Sequence, residues 1–397
     1  MTKSPDIGGS ILTDKTEGKT LFKPVRMREL GILRPYHTVI QGWDIPKKDY
    51  LKAHKEGGLV KLAIELSNVC NLSCSGCFTK RTDESWTERG KQRLPNELSY
   101  DEQVALLREA ASLGTSTVDI VGAGEPMLDK HFTDIVDVIN GLGMHAVVFT
   151  HGAQPALRDV EKWRDRDISF FLKLWSLDPK KQAGYVAGSL ENYTHMRNDA
   201  LRELVYAGFT NGPMKRVDGM NSIVTRLGAD ILVMRSNYEE IPQLFSLCRM
   251  KGVMPLVKTY IPEGPTRFSQ TQAAAAYTTE HVAALRQDEV SPADFARLRS
   301  TLRELDYTLF GEIPLDTLYP GATKCTQSMA SLYVTIQGDI RGCVGTHLSY
   351  GRYQPGMLAQ AIKDRKERVG FGCIPRLEDA KERGLELPES LKQVYDQ

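Results

Sequence analysis

From residue 59 to residue 260, short apolar segments alternate with amphipathic ones, and this pattern constrains the fold more than any other feature of the chain. Six apolar segments have the length and composition of buried strands, and the stretches between them have the apolar spacing of helices. Such alternation predicts parallel βαβ units, arranged as an open doubly wound sheet or as a barrel. The six segments are LVKLAIEL (59–66), TVDIVG (117–122), HAVVFT (145–150), ISFFLKLW (168–175), ADILVMRS (229–236) and VMPLVKTY (253–260).

Three short motifs directly follow predicted strands, and their positions indicate where function resides. The segment CNLSCSGCF follows the first strand, GAGEP follows the second and THG follows the third. In parallel α/β sheets, ligands bind at the carboxyl ends of the strands. We therefore expect the three motifs to lie together at one mouth of the sheet.

Signals at helix ends support the same pattern. Ser99 and Glu102 predict a capping box at the start of a helix after the first strand. Segment 131–143 has apolar residues spaced i, i+3, i+4 and i+7, which is typical of a helix with one buried face. Ser291 followed by Pro292 predicts the start of a later helix.

The pattern changes on both sides of this region, which suggests three parts. Residues 1–58 are polar and weakly periodic, and we predict a partly ordered N-terminal arm. Residues 59–310 form the α/β domain. We predict a small α+β domain at 311–397, because two short β segments flank Gly338 and Asp339 as in a hairpin, and a charged helix follows.

The composition excludes several classes of function. The chain is 41% apolar and 25% charged with a net charge of +1, which gives no electrostatic reason to expect nucleic acid or an anionic membrane as partner. Its start lacks the apolar core of a secretory signal, and no apolar run approaches the roughly 18–20 residues that span a bilayer. We expect a cytoplasmic protein with reduced thiols, in which seven unevenly clustered cysteines favour metal ligation over disulfides.

Three of the cysteines, Cys70, Cys74 and Cys77, lie within eight residues in a C-x3-C-x2-C loop. Thiolates hold iron–sulfur clusters, normally four for a four-iron cluster, so three ligands leave one iron open to a small molecule. Structural zinc is the alternative, but it requires four protein ligands, usually in two pairs. Inert thiols are the other alternative.

This loop resembles the signature of the radical S-adenosylmethionine (SAM) superfamily. The resemblance implies a partial (β/α)6 barrel of the TIM type and a 4Fe-4S cluster whose fourth ligand is the methionine moiety of SAM. It also implies an electron donor of the flavodoxin or ferredoxin type, and cleavage of SAM to a 5′-deoxyadenosyl radical that abstracts a substrate hydrogen. Gly76 stands where many members have an aromatic residue, so Phe78 is the candidate for covering the adenine.

The GAGEP motif is similar to the GGEP turn of the same family. Gly122 and Gly124 allow close approach of the backbone, Glu125 is expected beside the methionine ammonium, and Pro126 rigidifies the turn. Alone, such a turn is also compatible with an ordinary strand–helix connection.

Four further positions are candidate cofactor contacts because they lie at or just after the ends of predicted strands. Thr150 belongs to THG, in which His151 is expected to line the mouth rather than bind metal. Lys173 and Ser176, with the nearby Asp178, are candidate ribose or substrate contacts, although solvated strand ends are equally compatible with them. Asn237 is expected both as a helix N-cap and as a cofactor contact.

Cys248 has two open interpretations. It lies on the apolar stripe of a predicted helix in 238–252, where a buried thiol acts as a small apolar side chain. The other interpretation is a hydrogen-atom donor to a substrate radical.

Three more cysteines, Cys325, Cys343 and Cys373, flank the predicted C-terminal hairpin and helix. They resemble the auxiliary iron–sulfur domains of the superfamily, called twitch and SPASM. The dense cysteine segment of a SPASM domain is absent, so a shorter, twitch-like domain with a second cluster is the better match. The fourth ligand of that cluster is undetermined, and scattered structural thiols are the alternative.

Together these features predict a radical SAM enzyme acting on a small polar substrate. The resemblance implies an oxidoreductase (dehydrogenase) or an epimerase of sugar- or aminocyclitol-like intermediates in natural-product biosynthesis. Lys258 near the end of the sixth strand, and Glu263 and Arg267 after it, are candidate substrate contacts or parts of a solvated loop. A radical SAM enzyme that modifies a ribosomally made peptide, and a non-catalytic iron–sulfur electron carrier, are the two alternatives.

Overall fold

The computed structural model describes residues 37–72, 74, 77, 93–186, 192–260, 284–310, 327–346, 348–365 and 373–395. The strands are β1 (His37–Ile40), β2 (Lys61–Ile64), β3 (Thr117–Ile120), β4 (His145–Thr150), β5 (Ile168–Lys173), β6 (Met214–Val217), β7 (Met220–Thr225), β8 (Leu227–Leu232), β9 (Met254–Lys258), β10 (Ser331–Val334), β11 (Asp339–Arg341) and β12 (Ser349–Arg352). The helices are α1 (Lys47–Glu56), α2 (Tyr100–Ser112), α3 (Phe132–Gly141), α4 (Val160–Arg164), α5 (Pro179–Val186), α6 (Tyr193–Tyr206), α7 (Ile241–Lys251), α8 (Pro292–Phe310), α9 (Gln327–Ala330), α10 (Met357–Arg365), α11 (Ile374–Glu382) and α12 (Glu389–Tyr395).

The main sheet has nine strands in the order β12-β11-β10-β2-β3-β4-β5-β8-β9. Its six central strands, from β2 to β9, are parallel neighbours in chain order and correspond to the six predicted segments. Among the described residues β9 does not pair with β2, so the sheet stays open. The expected partial (β/α)6 barrel is therefore confirmed.

The two faces of the sheet pack against different cores, because side chains alternate along each strand. In β4, Ala146 and Val148 belong to the large core between the sheet and its helices. Val147 and the partly buried Phe149 point the other way, into a core on the concave face. We call this second group the concave core; it consists of Ile40, Val147, Phe171, Met254 and Leu256, with Trp43 and Phe149 packed against it.

The helix signals in the sequence are confirmed. Ser99 accepts a hydrogen bond from the Glu102 N–H, and the Glu102 carboxylate accepts one from the Ser99 N–H, which completes the capping box of α2. Helix α8 begins at Pro292, where the Ser291 hydroxyl accepts from the Asp294 N–H. Each signal satisfies backbone donors that the first helical turn leaves without intrahelical partners.

The segment before β2 contributes structure that its sequence pattern did not indicate. Strand β1 pairs with β7 in a separate three-stranded sheet that also contains β6. The turn after β1 then enters the concave face, where Trp43 donates a hydrogen bond to Asp119. A Cβ on Gly42 would lie 2.7 Å from His145, so this turn fits closely against the amino-terminal end of β4.

The predicted C-terminal hairpin forms as β10 and β11 around Gly338, whose φ is +83°. Strand β10 also pairs in parallel with β2, so the hairpin extends the main sheet. The division into parts at residues 58 and 310 stays a prediction. In the described part of the chain, none of the helices combines the length and apolar character needed to cross a bilayer.

Candidate metal and cofactor site

The three cysteines of the C-x3-C-x2-C loop lie together beyond the carboxyl end of β2. They share one group of packed side chains, which we call the cysteine-loop cluster, and Cys74 is buried within it. The Cys77 N–H donates to the Cys74 carbonyl over 3.3 Å, and the Leu72 N–H points at the Cys70 sulfur over 3.5 Å. The buried members of the cluster are Leu72, Cys74, Ala153, Trp175, Val186, Tyr193, Leu232, Met234, Tyr260 and Leu285, with Cys70 and Cys77 on its border.

The electrostatic setting of this loop suits a bound cation. Burial raises the pKa of the Cys70 thiol to about 12, and the negative charges of Glu125, Cys74 and Cys77 add to the rise, while a hydrogen bond from Leu72 opposes it. Without metal this thiol is therefore protonated at neutral pH. Metal binding replaces such protons, because only thiolates act as ligands.

The GAGEP turn is hydrogen-bonded directly to the segment that leads into the cysteine loop. The Gly124 N–H donates to the Ser67 carbonyl over 2.9 Å, and the Glu125 N–H donates to the Val69 carbonyl over 2.8 Å. A Cβ on Gly124 would lie 2.0 Å from the Val69 oxygen, so any side chain larger than hydrogen would push the two segments apart. Glycine is therefore required at this position by the close approach of the two backbones.

The Glu125 side chain connects the GAGEP turn with the end of β4. Its Oε1 accepts from the Thr150 hydroxyl over 2.6 Å, and its Oε2 accepts from the His151 N–H over 2.8 Å. The residue is 2% exposed, so these bonds compensate the cost of burying its carboxylate. Carboxylate oxygens have further lone pairs, and the expected contact of Glu125 with an ammonium stays a prediction.

His151 connects the same strand end with the cysteine loop itself. Its Nδ1 accepts from the Ala153 N–H, so the proton of the neutral ring is on Nε2, which lies 2.9 Å from the Asn71 amide oxygen. Burial lowers the pKa of His151, with Lys173 acting in the same direction and Glu125 opposing it. A neutral His151 is therefore a hydrogen-bonding link at the mouth, as the sequence predicted.

Lys173, at the end of β5, faces the cysteines. Burial alone would lower the pKa of its ammonium, but the negative charges of Cys74, Cys77 and Asp230 outweigh burial and raise it. The ammonium also lies 5.4 Å from the centre of the Trp175 ring. Among the candidate contacts, Lys173 is thus a cation whose charge is coupled to two of the loop thiols.

Ser176 and Asn237 instead hold strand ends together. The fully buried Ser176 hydroxyl donates to Glu240 over 2.6 Å. The Asn237 amide donates to the carbonyls of Trp175 and Leu232, and its oxygen accepts from the Met234 N–H. Their roles as cofactor contacts stay predictions.

The expected N-cap at Asn237 is wrong. The chain first forms a 3₁₀ turn over Arg235–Glu240, and α7 begins only at Ile241, with Glu240 as its N-cap and Pro242 in its first turn. Asn237 and Glu240 both lie within the 3₁₀ turn, so their spacing does not mark the start of α7. Its side chain bonds back to Met234, at the start of that turn.

Three residues that support the site were not identified from the sequence. The Tyr193 hydroxyl donates to the His151 carbonyl over 2.8 Å, and the Arg197 guanidinium donates to the Lys173 carbonyl over 3.0 Å. The Gln182 amide oxygen accepts from the N–H groups of Trp175 and Ser176. Tyr193 and Arg197 are four residues apart on one face of α6, a spacing that would have indicated a shared contact surface.

Cys248 lies away from these groups. It is buried on α7 in the core between the sheet and its helices, where burial raises the pKa of its thiol to about 12, although Arg249 and Arg197 oppose the rise. This location agrees with the packing interpretation. The hydrogen-donor interpretation stays an untested prediction.

The C-terminal cysteines join the sheet near its two edges. Cys343 follows β11, close to the β12 edge. Cys373 precedes α11, whose Arg376 donates to the Thr259 carbonyl just beyond β9, the opposite edge. A second cluster bound by these cysteines stays a prediction.

One further predicted contact is described by the structure, and four other predicted residues are not. Lys258 ends β9 and forms an ion pair with Asp230 over 2.6 Å. The positions of Phe78, Glu263, Arg267 and Cys325 lie outside the described residues.

The residues present fit an iron–sulfur cluster with one open iron. Within the described ranges, no group of three or more His, Cys, Asp or Glu side chains is placed to hold one metal ion. A four-iron cluster does not require side chains that converge on one metal ion, because each of its thiolate ligands binds a different iron. Three cysteines in one side-chain cluster, beside the close approach of Gly124 to Val69, provide that donor set.

Comparison with known proteins identifies the family of the domain that contains this site. Residues 64–209 match the family model of the radical SAM superfamily. The chain contains a radical SAM domain. Members of this family use a 4Fe-4S cluster and SAM, so the expected cofactors are confirmed at the level of the family, and the second cluster stays a prediction.

Curated relatives share only part of their length with this radical SAM domain protein. GTP 3′,8-cyclase of Yersinia pestis is 30% identical over 122 residues, which cover 30% of this chain and 35% of the relative. The sporulation killing factor maturation protein SkfB of Bacillus subtilis is 29% identical over 115 residues, covering 29% of this chain and 24% of the relative. The chain thus spans roughly a quarter to a third of these relatives.

A solved structure shares the fold over most of the chain. It is SuiB of Streptococcus suis bound to S-adenosylmethionine, with a TM-score of 0.51, 17% sequence identity, and coverage of 83% of this chain and 71% of SuiB. At this identity the likeness establishes the fold alone. That fold is the partial barrel described above.

Proposed function

We propose that this protein is a cytoplasmic radical SAM enzyme that abstracts a hydrogen atom from a small polar substrate and thereby oxidises or epimerises it. When bound, the cluster supplies the electron that cleaves SAM to methionine and a 5′-deoxyadenosyl radical. The substrate class we favour is a sugar- or aminocyclitol-like intermediate of natural-product biosynthesis. A flavodoxin or ferredoxin is the proposed electron donor.

The observation that carries this proposal is the bracing of the cysteine loop by two neighbouring strand ends. Gly124 and Glu125 bind the backbone before the loop, and His151 binds Asn71 within it. A cluster that only carries electrons has no need of a buried carboxylate joining two strand ends beside its ligands. Such bracing is what a site needs if it must hold a cluster and a second molecule in fixed geometry.

The residues around the loop have two further roles in this proposal. Apolar side chains of the cysteine-loop cluster, among them Leu72, Trp175 and Tyr260, exclude water from the sulfurs. The positive charge of Lys173 is coupled to Cys74 and Cys77, so it can offset the negative charge of thiolate ligands.

A second candidate function is the modification of a ribosomally made peptide. It is favoured by the similarity to SkfB, whose name describes the maturation of a killing factor. The GTP cyclase, another relative of comparable identity, is named for a nucleotide substrate instead. The two relatives therefore favour different substrate classes, and the experiment must include both.

The test uses anaerobically reconstituted protein reduced in the presence of SAM, with Cys74→Ala as the control. We expect 5′-deoxyadenosine from the wild type and none from the variant. Deuterated sugars, deuterated aminocyclitols, deuterated GTP and a deuterated peptide encoded beside the gene are then screened for label transfer into 5′-deoxyadenosine. Transfer from the peptide alone would replace the favoured substrate class, and iron binding without SAM cleavage would leave the electron carrier as the function.

A further inference from the structure

We propose that a layer of charged side chains just below the cysteine loop binds an anionic group of the substrate, a carboxylate or a phosphate. The layer consists of Lys173, Asp230 and Lys258, and we call it the lysine layer. This inference rests on the proposed function and adds the charge of the substrate to it.

The position of the layer follows from the two-residue period of the strands. Along the β9 segment, Leu256 packs in the concave core and Tyr260 packs in the cysteine-loop cluster, so Lys258 lies between the two groups. Along β8, Leu232 packs in the cysteine-loop cluster, and Asp230 precedes it on the same face. The lysine layer therefore separates the apolar floor of the barrel from the metal-binding loop.

The concave core closes the barrel below this layer. Phe149 and Phe171 are stacked with ring centres 4.8 Å apart, and Trp43 lies 5.0 Å from Phe171. The Lys258 ammonium lies 5.6 Å from the centre of the Phe149 ring, directly above these side chains. A substrate that enters from the mouth would thus meet the lysine layer before it meets the aromatic floor.

The layer carries two positive charges and one negative charge. Lys258 Nζ lies 2.6 Å from Asp230 Oδ1, and Lys173 is the residue opposite Asp230 in the register of the β5–β8 pair. An ammonium has three N–H donors, and Asp230 is the ion-pair partner of Lys258 in the described ranges. Hydrogen bonds from an ammonium to an anion are stronger than those to a neutral group, so the layer favours an anionic substrate.

A second lysine pair on the same face shows what a purely structural arrangement looks like. Lys61 pairs with Asp119 over 2.8 Å, with 5% and 3% of the side chains exposed, and its ammonium lies 4.3 Å from the centre of the Trp43 ring. In the upper pair, 16% of Lys258 and 6% of Asp230 are exposed. Since the ion-pair distances are similar, the greater exposure of Lys258 is what makes it available to a ligand.

The test measures protection of Lys258 from acetylation in the reconstituted holoenzyme with SAM. The protein is treated briefly with N-hydroxysuccinimidyl acetate in inorganic phosphate, acetate or chloride at equal ionic strength, and labelling is quantified by mass spectrometry. Lys215 is the internal control, because it forms an ion pair of the same 2.6 Å length with Asp44 but is 53% exposed. A site half-filled at about 5 mM anion predicts about fivefold slower labelling of Lys258 at about 20 mM, with Lys215 unchanged.

Each outcome of this labelling experiment either supports the proposal or overturns it. Protection by phosphate alone, by acetate alone or by both supports the proposal and identifies the kind of anion. No protection, equal protection of Lys215, or no labelling of Lys258 in chloride overturns it, the last because the layer would then be sealed. The same preparation is assayed for 5′-deoxyadenosine: protection without cleavage of SAM would refute the proposed function alone, and cleavage without protection would refute this inference alone.

Discussion

Replacing Gly124 with alanine tests how the GAGEP turn and the cysteine loop depend on each other. A Cβ at this position would lie 2.0 Å from the Val69 oxygen and 2.9 Å from the Asn68 carbonyl carbon, and both are backbone atoms that no side-chain rotation can move away. Carbon–oxygen contacts normally begin at about 3.3 Å, so the Val69 carbonyl must move by more than about 1 Å.

That movement removes specific interactions, from which the size of the effect follows. The two hydrogen bonds from Gly124 to Ser67 and from Glu125 to Val69 contribute about 1 kcal/mol each. Overpacking costs about 1–3 kcal/mol more. We therefore expect the native arrangement of the loop to be destabilised by about 3–5 kcal/mol, enough to lower its population more than a hundredfold.

The assay counts iron and 5′-deoxyadenosine in protein whose Cys325, Cys343 and Cys373 are replaced by alanine, so that only the loop contributes iron. Gly124→Ala is expected to lose most of both. Gly184→Ala on α5 is the matched control, since a Cβ there has no atom within 4 Å. If Gly124→Ala retained the iron and the activity of Gly184→Ala, the close approach would not constrain the loop and the reasoning would be refuted.

Three further predictions follow from individual side chains. Burial lowers the pKa of His145 from 6.5 to about 4. As the pH falls, the unfolded chain therefore binds this proton before the folded one does, and the free energy of unfolding should fall by about 2 kcal/mol between pH 7 and pH 5. His145→Asn should remove that part of the loss in urea unfolding, and an identical pH dependence in both proteins would contradict it. Cys248→Ala should keep iron, 5′-deoxyadenosine and product while losing about 1 kcal/mol of stability; loss of product with continued 5′-deoxyadenosine would make Cys248 the hydrogen donor. Replacing Cys343 and Cys373 together should lower the iron content from about eight to about four per chain, and an unchanged content would remove the auxiliary cluster.

The parallel sheet could be predicted because its signals are local. Each central strand is a short apolar segment, and each helix between them has its own spacing or cap, so no distant partner had to be known. The separate sheet was missed for the opposite reason. Strand β1 pairs with β7 at a large separation in sequence, since His37 lies opposite Ser222, 185 residues further along the chain. One local signal was available: Asp218 and Gly219, both with positive φ, form the turn between β6 and β7, and Asp-Gly is a strong hairpin signal.

For the site, the sequence predicted which residues lie together but not which hydrogen bonds they form. The sequence predicted the cysteines, GAGEP and THG at one mouth, because the carboxyl ends of parallel strands meet at one edge. It did not predict that Glu125 would accept hydrogen bonds from Thr150 and His151. Several donors are expected at that mouth, and the sequence does not show which of them lies nearest to the carboxylate. The direction of a side chain is decided by which donor lies nearest after folding.

The two lysine–aspartate pairs on the concave face make the same point about function. Lys61 and Lys258 are both strand lysines that face an aspartate, and nothing in their immediate sequence separates a structural pair from one that is open to a ligand. The difference arises from Trp43, which comes from the segment before β2 and lies against Lys61 but not in the layer above it. Because the turn after β1 fills only the lower part of the barrel, the depth to which it reaches decides which of the two lysines remains available for a substrate.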